Sequence, residues 1–213
     1  MIDVVYEASL ETLYMVFVSG ILSFILGLPL GIILFTSKKG GLRENKFLFS
    51  ILDFLVNIFR SIPFIILMIL VRPISILIVK KSVGPTAAIV SLTIAAIPFV
   101  ARLFETSFEK VDKGIIEASK SMGASNIQII NKVLIPEAFP DLINDITMTL
   151  INLVGYSAMA GSIGGGGLGN LAIRYGVYNY KIEYLFAAVL VIIILVQLIQ
   201  IVGTSLYNKI NKK

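Results

Sequence analysis

The stretch from Asp112 to Pro136 reads D-K-G-I-I-E-A-S-K-S-M-G-A-S-N-I-Q-I-I-N-K-V-L-I-P and is more polar than the sequence on either side of it. Asp112 is a typical N-cap for a short helix, and Gly123 is suited to end that helix in a left-handed turn. The S-x-x-Q pattern of Ser125–Gln128 is a capping box and predicts that a second helix starts at once. The stretch therefore predicts two short helices hinged at Gly123, a shape suited to docking a soluble partner. A plain amphipathic surface loop would show part of the same pattern.

The second of these helices is expected to be short and amphipathic. Four of its apolar residues recur at helical spacing and predict one apolar face: Ile127, Ile130, Val133 and Leu134. Pro136 disfavours helical geometry at Ile135, so the second helix is expected to stop there. We call Asp112–Pro136 the hinged segment.

The composition around the hinged segment is that of a membrane protein. The 213 residues are 57% hydrophobic and 15% charged, whereas soluble domains are about 45–50% apolar and about 25% charged. The length allows roughly one domain. The absence of Cys and His excludes thiolate chemistry, disulfides, the usual zinc sites and His-based triads. We therefore expect no catalytic residue and no metal site, and an intramembrane enzyme is disfavoured.

Five stretches are long and apolar enough to cross the hydrocarbon core, which takes about 20 mostly apolar helical residues. They are Leu13–Phe35, Phe47–Leu70, Gly84–Phe104, Ala138–Ala160 and Tyr184–Leu206. Polar residues interrupt the second stretch, and Pro63 predicts a kink in it. The expected fold is thus an all-α integral membrane protein with five transmembrane helices and the hinged segment between the third and fourth. Residues 1–12 would form a short extracytoplasmic tail, residues 13–206 the transmembrane domain and residues 207–213 a basic cytoplasmic tail.

The distribution of Lys and Arg predicts the orientation, because short cytoplasmic loops carry an excess of both. Three regions are rich in them: residues 38–46, the hinged segment and residues 209–213. With five spans these regions fall on one side of the membrane, whereas Arg72, Lys80 and Lys81 fall on the other. The N-terminus is therefore expected outside and the C-terminus in the cytoplasm.

Polar residues within the predicted spans are candidates for the function. On the fourth span one helix face carries Asp141, Asp145, Thr149, Asn152 and Tyr156. A charged group facing hydrocarbon costs about 2.5–3.5 kcal/mol, so this face should line the protein interior or a watery passage. The candidate pathway or gate residues are Asn152, Tyr156, Ser157 and Met159, and the alternative role is hydrogen bonding at a subunit contact. Arg60 is a candidate functional charge or an anchor at the channel mouth.

Two patterns of small residues predict close packing. Ser19, Ser23, Gly27 and Gly31 form a stripe along the first span, where small residues allow close approach of another helix. The run Gly161–Gly169 lacks the terminal G-K-[ST] of a phosphate-binding loop, so hydrolysis of ATP by this chain alone is not expected. Its glycines instead predict a turn and close packing, on the outer side in this topology.

The hinged segment resembles the E-A-A-x3-G-x9-I-x-L-P loop of ABC importer permeases. The matching positions are Glu117, Ala118, Ser119, Gly123, Val133, Ile135 and Pro136. Ser119, Val133 and Ile135 depart conservatively from the pattern. Three further segments resemble the methionine-type permeases of this class: Asn57–Phe64, Leu153–Met159 and Gly164–Gly169. The resemblance covers roughly Leu10 to Val202.

The resemblance implies a permease domain whose loop, with Glu117, Ala118, Gly123 and Pro136, forms coupling helices that seat in a cleft of a cytoplasmic ATPase. It further implies a homodimer with two ATPase subunits and a substrate-binding lipoprotein, in the bacterial inner membrane. The substrate would be a small amino acid, methionine. The chain itself would bind no cofactor, since ATP and Mg belong to the partner ATPase, and its other contacts would be with lipid rather than nucleic acid.

Two alternatives to a methionine permease stay open at this point. The related one is an ABC permease for another small solute, such as a polar amino acid or an osmoprotectant. The other is a stand-alone ion-coupled carrier that uses the membrane charges Asp53, Arg60, Asp141 and Asp145. Secondary carriers often contain inverted repeats with broken helices in matching halves, and this sequence contains no matching halves.

Overall fold

The computed structural model describes residues 1–211, and every regular element in that range is a helix. The helices are α1 (Ile2–Ser37), α2 (Lys46–Ser61), α3 (Phe64–Val79), α4 (Pro85–Glu109), α5 (Lys113–Ser121), α6 (Asn126–Ser162), α7 (Gly167–Tyr178) and α8 (Ile182–Ile210). Helix α6 is continuous but contains a π-helical segment, Ile130–Leu134. The predicted all-α fold is confirmed for the described residues.

The candidate membrane spans number between three and five. Helices α1, α4 and α8 are each long and apolar enough to cross a membrane. Two bent pairs add further crossings if each counts as one broken span: α2 with α3, bent by 111°, and α6 with α7, bent by 40°. The chain is therefore a multi-pass membrane protein, while the count of five spans and the orientation stay predictions.

The predicted second span, Phe47–Leu70, is wrong as a single helix. Helix α2 ends at Ser61 and α3 begins at Phe64. The intervening Ile62 is extended, with φ −81° and ψ 124°, because the ring of Pro63 disfavours helical geometry in the residue before it. The kink predicted at Pro63 is thus a complete break, and it turns the chain sharply between the two helices.

Helix α1 is longer than the apolar stretch that predicted it. It starts at Ile2, so residues 2–12 of the predicted short tail are helical. The side chains of Ala8 and Thr12 are buried there, and Ala8 packs against the apolar side chains of α7. Tertiary packing of this kind extends a helix beyond the residues whose hydropathy predicts it.

Two of the other predicted spans agree with single helices to within about five residues at each end. The third and fifth correspond to α4 and α8, and the fourth lies within α6. Helix α8 continues to Ile210, so the predicted basic tail from residue 207 is helical up to that point. Lys212 and Lys213 lie outside the described residues.

The stripe of small residues on α1 packs against α4, as predicted. All four members, Ser19, Ser23, Gly27 and Gly31, are buried. A Cβ atom on Gly27 would lie 2.7 Å from Cγ1 of Val100, and one on Gly31 would lie 2.9 Å from the carbonyl oxygen of Ala101. The two serine hydroxyls donate to carbonyls of their own helix, so close approach of α4 leaves neither hydroxyl unpaired.

Apolar clusters define two ends of the helical bundle. At the hinge end, α5 and the start of α6 pack with the ends of α1 and α4 through Phe35, Phe108, Val111, Ile116, Ile129 and Leu134. At the glycine end, the starts of α1 and α8 pack with α7 through Ala8, Leu168, Leu171 and Ala188. The hinged segment and the glycine run therefore lie at opposite ends of the molecule.

Candidate functional site

The first half of the hinged segment forms as its sequence predicts. The carboxylate of Asp112 accepts a hydrogen bond of 2.7 Å from the N–H of Gly114 and caps α5. Gly123 has φ +81°, and the chain closes around it through a 3.1 Å bond from the N–H of Ala124 to the carbonyl of Ser119. A positive φ costs little for glycine alone, so the hinge depends on this residue.

The predicted capping box is present at the start of α6. The hydroxyl of Ser125 accepts from the N–H of Gln128, and the side-chain oxygen of Gln128 accepts at 2.8 Å from the N–H of Ser125. The amide of Asn126 also donates to the carbonyl of Leu42 at 3.3 Å, which links the hinge to the loop after α1. The turn and the helix start are thereby fixed together.

The expected stop at Ile135 is wrong, because the helix runs through Pro136 without a break. The turn before this proline is π-helical, and the N–H of Ile135 donates to the carbonyl of Ile130. In an α-helix the ring of Pro136 would clash with the carbonyl four residues earlier; the wider π turn relieves this conflict. The second half of the hinged segment, from Asn126, is consequently continuous with the membrane helix that follows it.

The predicted apolar face of the second helix is also only partly correct. Ile129 and Leu134 are fully buried, whereas Ile127 is 72% exposed. The two buried residues are five apart, which matches the π-helical spacing and not the α-helical spacing used for the prediction. Ile127, which precedes the π segment, is not part of the buried face.

The outer surface of the hinged segment presents apolar side chains. Met122, next to Gly123, is 80% exposed, and Ile127 and Ile115 are exposed as well. Glu117 and Ala118 are exposed on α5, and the Glu117 carboxylate makes no ion pair with any described residue. Ile116 and Ile129 of the same segment are buried in the hinge-end cluster. The backbone that carries the exposed apolar side chains is therefore packed against the core.

The candidate pathway residues on α6 separate into two groups. Met159 is exposed, and Asn152 and Tyr156 are half-buried. Ser157 is buried in the protomer, and its hydroxyl donates to the carbonyl of Val154 at 2.7 Å. The structure thus brings Asn152, Tyr156 and Met159 to accessible positions and Ser157 to an internal one; their roles stay predictions.

The polar residues nearer the hinge end of α6 bond within the protomer. Asp145 is buried and accepts a 2.6 Å hydrogen bond from the hydroxyl of Ser107 on α4. Thr149 is buried and donates to the carbonyl of Asp145 at 2.7 Å. Asp141 pairs with Lys110 at 3.0 Å. Asp141 and Asp145 thus join α6 to the end of α4, and Thr149 bonds within α6, so none of the three continues the accessible surface.

Arg60 lies at the end of α2, in a cleft of about 160 Å³ that also contains Phe64 and Tyr156. The rings of Phe64 and Tyr156 stack with centroids 4.7 Å apart. The Arg60 guanidinium is exposed and makes no ion pair with any described residue. The structure therefore places the candidate membrane charge beside one candidate pathway residue, Tyr156.

The structure contains an ion-pair network around Arg102 that was not predicted from the sequence. The Arg102 guanidinium pairs with Asp53 of the broken helix pair and with Glu105 at 2.7 Å, and it donates to the side-chain oxygen of Asn57 at 3.2 Å. Asn57 in turn donates to Asp53 at 3.1 Å. Two charges three residues apart at the end of the third predicted span are a signal for such a network. The network ties α2 to α4.

The glycine run turns and packs as its composition predicts. Gly164, Gly166 and Gly167 have positive φ angles, and a Cβ atom on Gly169 would overlap the backbone of Ala158. The start of α7 is held by α1: the Glu11 carboxylate accepts from the N–H of Gly167 at 2.6 Å, and a neighbouring threonine hydroxyl accepts from the next N–H. The run closes the glycine end of the bundle.

Known proteins are similar to this chain over nearly its whole length. A permease from Vibrio cholerae, described as a probable D-methionine transport system permease protein, is 51% identical over 99% of this chain and 94% of its own length. The methionine import system permease protein of Bacillus subtilis is 47% identical over 98% of this chain and 94% of its own length.

Solved structures agree with these relatives. Two chains from inward-facing crystal forms of the MetNI methionine ABC transporter match with TM-scores of 0.97 and 0.93 and identities of 44% and 46%. The first match covers 100% of this chain and 98% of the other, and the second covers 95% and 94%. A family model described as the binding-protein-dependent transport system inner membrane component matches residues 13–213. The chain therefore belongs to the family of binding-protein-dependent transport system inner membrane components.

Proposed function

We propose that this chain is the permease subunit of an ABC importer and forms the translocation pathway for methionine. ATP hydrolysis in a partner subunit drives the transport, and ATP and Mg²⁺ bind there. The names of the Vibrio cholerae and Bacillus subtilis relatives support the substrate. The similarity to MetNI chains supports the mode of energy supply.

The observation that carries this proposal is the hinged segment. Its outer surface offers exposed Met122 and Ile127 to a soluble partner, while its inner surface is part of the core at the hinge end. Since α6 passes through Pro136 without a break, a push on the hinge reaches the membrane portion of α6 as a rigid-body movement. Domain movement of this kind is a common route for alternating access.

The proposed assembly is a homodimer with two ATPase subunits at the hinge end and a substrate-binding lipoprotein at the glycine end. The hinge end faces the cytoplasm of a bacterium and the glycine end faces outward, in the inner membrane. The excess of cations in residues 38–46 and in the hinged segment supports this orientation.

The pathway lies on the accessible side of α6, along Asn152, Tyr156 and Met159. The amide and phenol can hydrogen-bond the polar groups of an amino acid, and a methionine side chain offers a polarisable surface to a thioether. Ser157 supports this wall from inside the protomer. Arg60, beside Tyr156, attracts the substrate carboxylate at one mouth of the pathway.

A matched pair of variants tests the proposal. Met122→Asp places a carboxylate on the exposed apolar surface of the hinged segment, and Tyr180→Asp does the same at the glycine end, where Tyr180 is 91% exposed. Because both side chains are exposed, neither change should unfold the chain. We expect Met122→Asp to lose the co-purifying ATPase, and with it ATP-dependent methionine uptake in proteoliposomes, whereas Tyr180→Asp should retain the ATPase.

Two results would contradict the proposal. One is equal recovery of the ATPase with both variants. The other is methionine uptake by the purified chain alone, driven by a proton or sodium gradient, which would identify an ion-coupled carrier instead.

A further inference from the structure

A cleft of about 480 Å³ opens at the hinge end between α5 and the loop after α1. Its cationic wall consists of Lys38, Lys39, Lys113 and Lys120. Lys113 and Lys120 are seven residues apart on α5 and so share one helix face. We call this feature the lysine cleft.

Positive charge in the lysine cleft exceeds negative charge. Lys38 forms an ion pair with Glu109, which neutralises both. Lys39, Lys113 and Lys120 make no ion pair with any residue of the described range 1–211. Glu117 is the remaining carboxylate in the lining, so three free ammonium groups face one carboxylate.

The floor of the lysine cleft is apolar. Phe35, Val111 and Ile116 line it beneath the lysines, and each belongs to the buried cluster of the hinge end. A ligand that fits this cleft therefore combines an anionic group with an apolar portion. A small hydrated anion would leave the floor uncovered.

The position of the cleft along the bundle matches the polar surface of a bilayer. It lies where the membrane-spanning candidates α1 and α4 end, at Ser37 and Glu109. Helix α2 starts close by in the chain and exposes Phe47 and Phe54, which provides an apolar surface for acyl chains. Basic pockets at this depth between membrane helices suit anionic lipid headgroups.

We propose that the lysine cleft binds the headgroup of an anionic phospholipid, with the phosphodiester between Lys39, Lys113 and Lys120. The phosphate oxygens accept charge-assisted hydrogen bonds from the ammonium groups, and the glycerol portion covers the apolar floor. The bound lipid braces α5 against the loop after α1. This inference does not depend on the substrate or the energy source proposed above, because it uses only the charge, shape and depth of the cleft.

Native mass spectrometry of the purified full-length protein, together with the subunits that co-purify with it, tests the proposal. The protein is exchanged into mixed micelles with equal amounts of phosphatidylglycerol and phosphatidylcholine, and the bound lipids are counted. The cleft variant is Lys39→Gln/Lys113→Gln/Lys120→Gln. Each lysine near a membrane surface contributes about fivefold to the affinity for an anionic lipid, so the variant is expected to bind phosphatidylglycerol roughly a hundredfold more weakly.

The control variant, Lys46→Gln/Lys132→Gln/Lys209→Gln, removes the same number of cations outside the cleft. It is expected to retain phosphatidylglycerol like the wild type. Equal retention by the cleft and control variants would overturn the proposal, as would equal binding of the two lipids by the wild type. Displacement of the lipid by millimolar inorganic phosphate would identify a free-phosphate site and would also overturn it.

Discussion

Removal of the Arg102 guanidinium should destabilise the protein mainly through Glu105 and only slightly through Asp53. The substitution Arg102→Met keeps most of the side-chain volume but leaves two carboxylates without their cation. The Glu105 side chain is 5% exposed, whereas that of Asp53 is 32% exposed. Water can therefore solvate Asp53 but not Glu105.

The expected loss in the free energy of unfolding follows from these exposed fractions. Breaking a buried pair by removing one partner costs about 3–5 kcal/mol, because a buried charge is left uncompensated. A partly solvated pair is worth about 1 kcal/mol or less. Arg102→Met is thus expected to lose about 3–5 kcal/mol through Glu105, whereas Asp53→Asn should lose at most about 1 kcal/mol.

A double-mutant cycle measures the effect. Arg102→Met, Glu105→Gln and the double variant are compared by thermal unfolding of the purified protein in detergent. The double variant should be more stable than Arg102→Met, because glutamine carries no charge that needs the guanidinium. A double variant no more stable than Arg102→Met, or an Arg102→Met protein as stable as the wild type, would refute this explanation.

Three further changes have defined expectations. Gly31→Ala should lower the apparent Tm, because its Cβ would push α4 away at Ala101. Gly155→Ala, whose Cβ meets nothing within 4 Å, should not lower the Tm. Equal Tm shifts for the two variants would exclude tight packing at Gly31. Gly123→Ala and Gly84→Ala introduce a Cβ at φ +81° and +92° with nothing within 4 Å, so each should cost about 1–3 kcal/mol through backbone strain. Only the change at Gly123 should reduce the ATPase activity of the assembled complex. Arg60→Ala should lower methionine uptake while the complex still assembles, and wild-type uptake would end that hypothesis.

Features encoded by neighbouring residues were predictable from the sequence. The cap at Asp112, the turn at Gly123 and the reciprocal bonds of Ser125 and Gln128 each involve groups no more than a few residues apart. Pro63 likewise acts on the residue directly before it. Such local geometry depends little on the rest of the fold, so pattern alone locates it.

Features that depend on tertiary contacts were not predictable in this way. The conflict between Pro136 and the α-helix is resolved by a π turn whose buried side chains belong to the hinge-end cluster. The pair of Asp53 and Arg102 joins residues on separate helices. The polar face predicted on α6 is divided because Ser107 on α4 binds Asp145. In each case a neighbour in space, rather than in sequence, decides the outcome.

We expect the hinged segment to dock an ATPase on the cytoplasmic side of the membrane. Because the chain contains no cysteine, single-cysteine variants Met122→Cys and Tyr180→Cys report these two positions without background. In intact cells a membrane-impermeant maleimide should label the cysteine of Tyr180→Cys and not that of Met122→Cys, and the latter should cross-link to the ATPase subunit. Labelling of Met122→Cys from outside the cell would contradict a cytoplasmic position of the hinged segment.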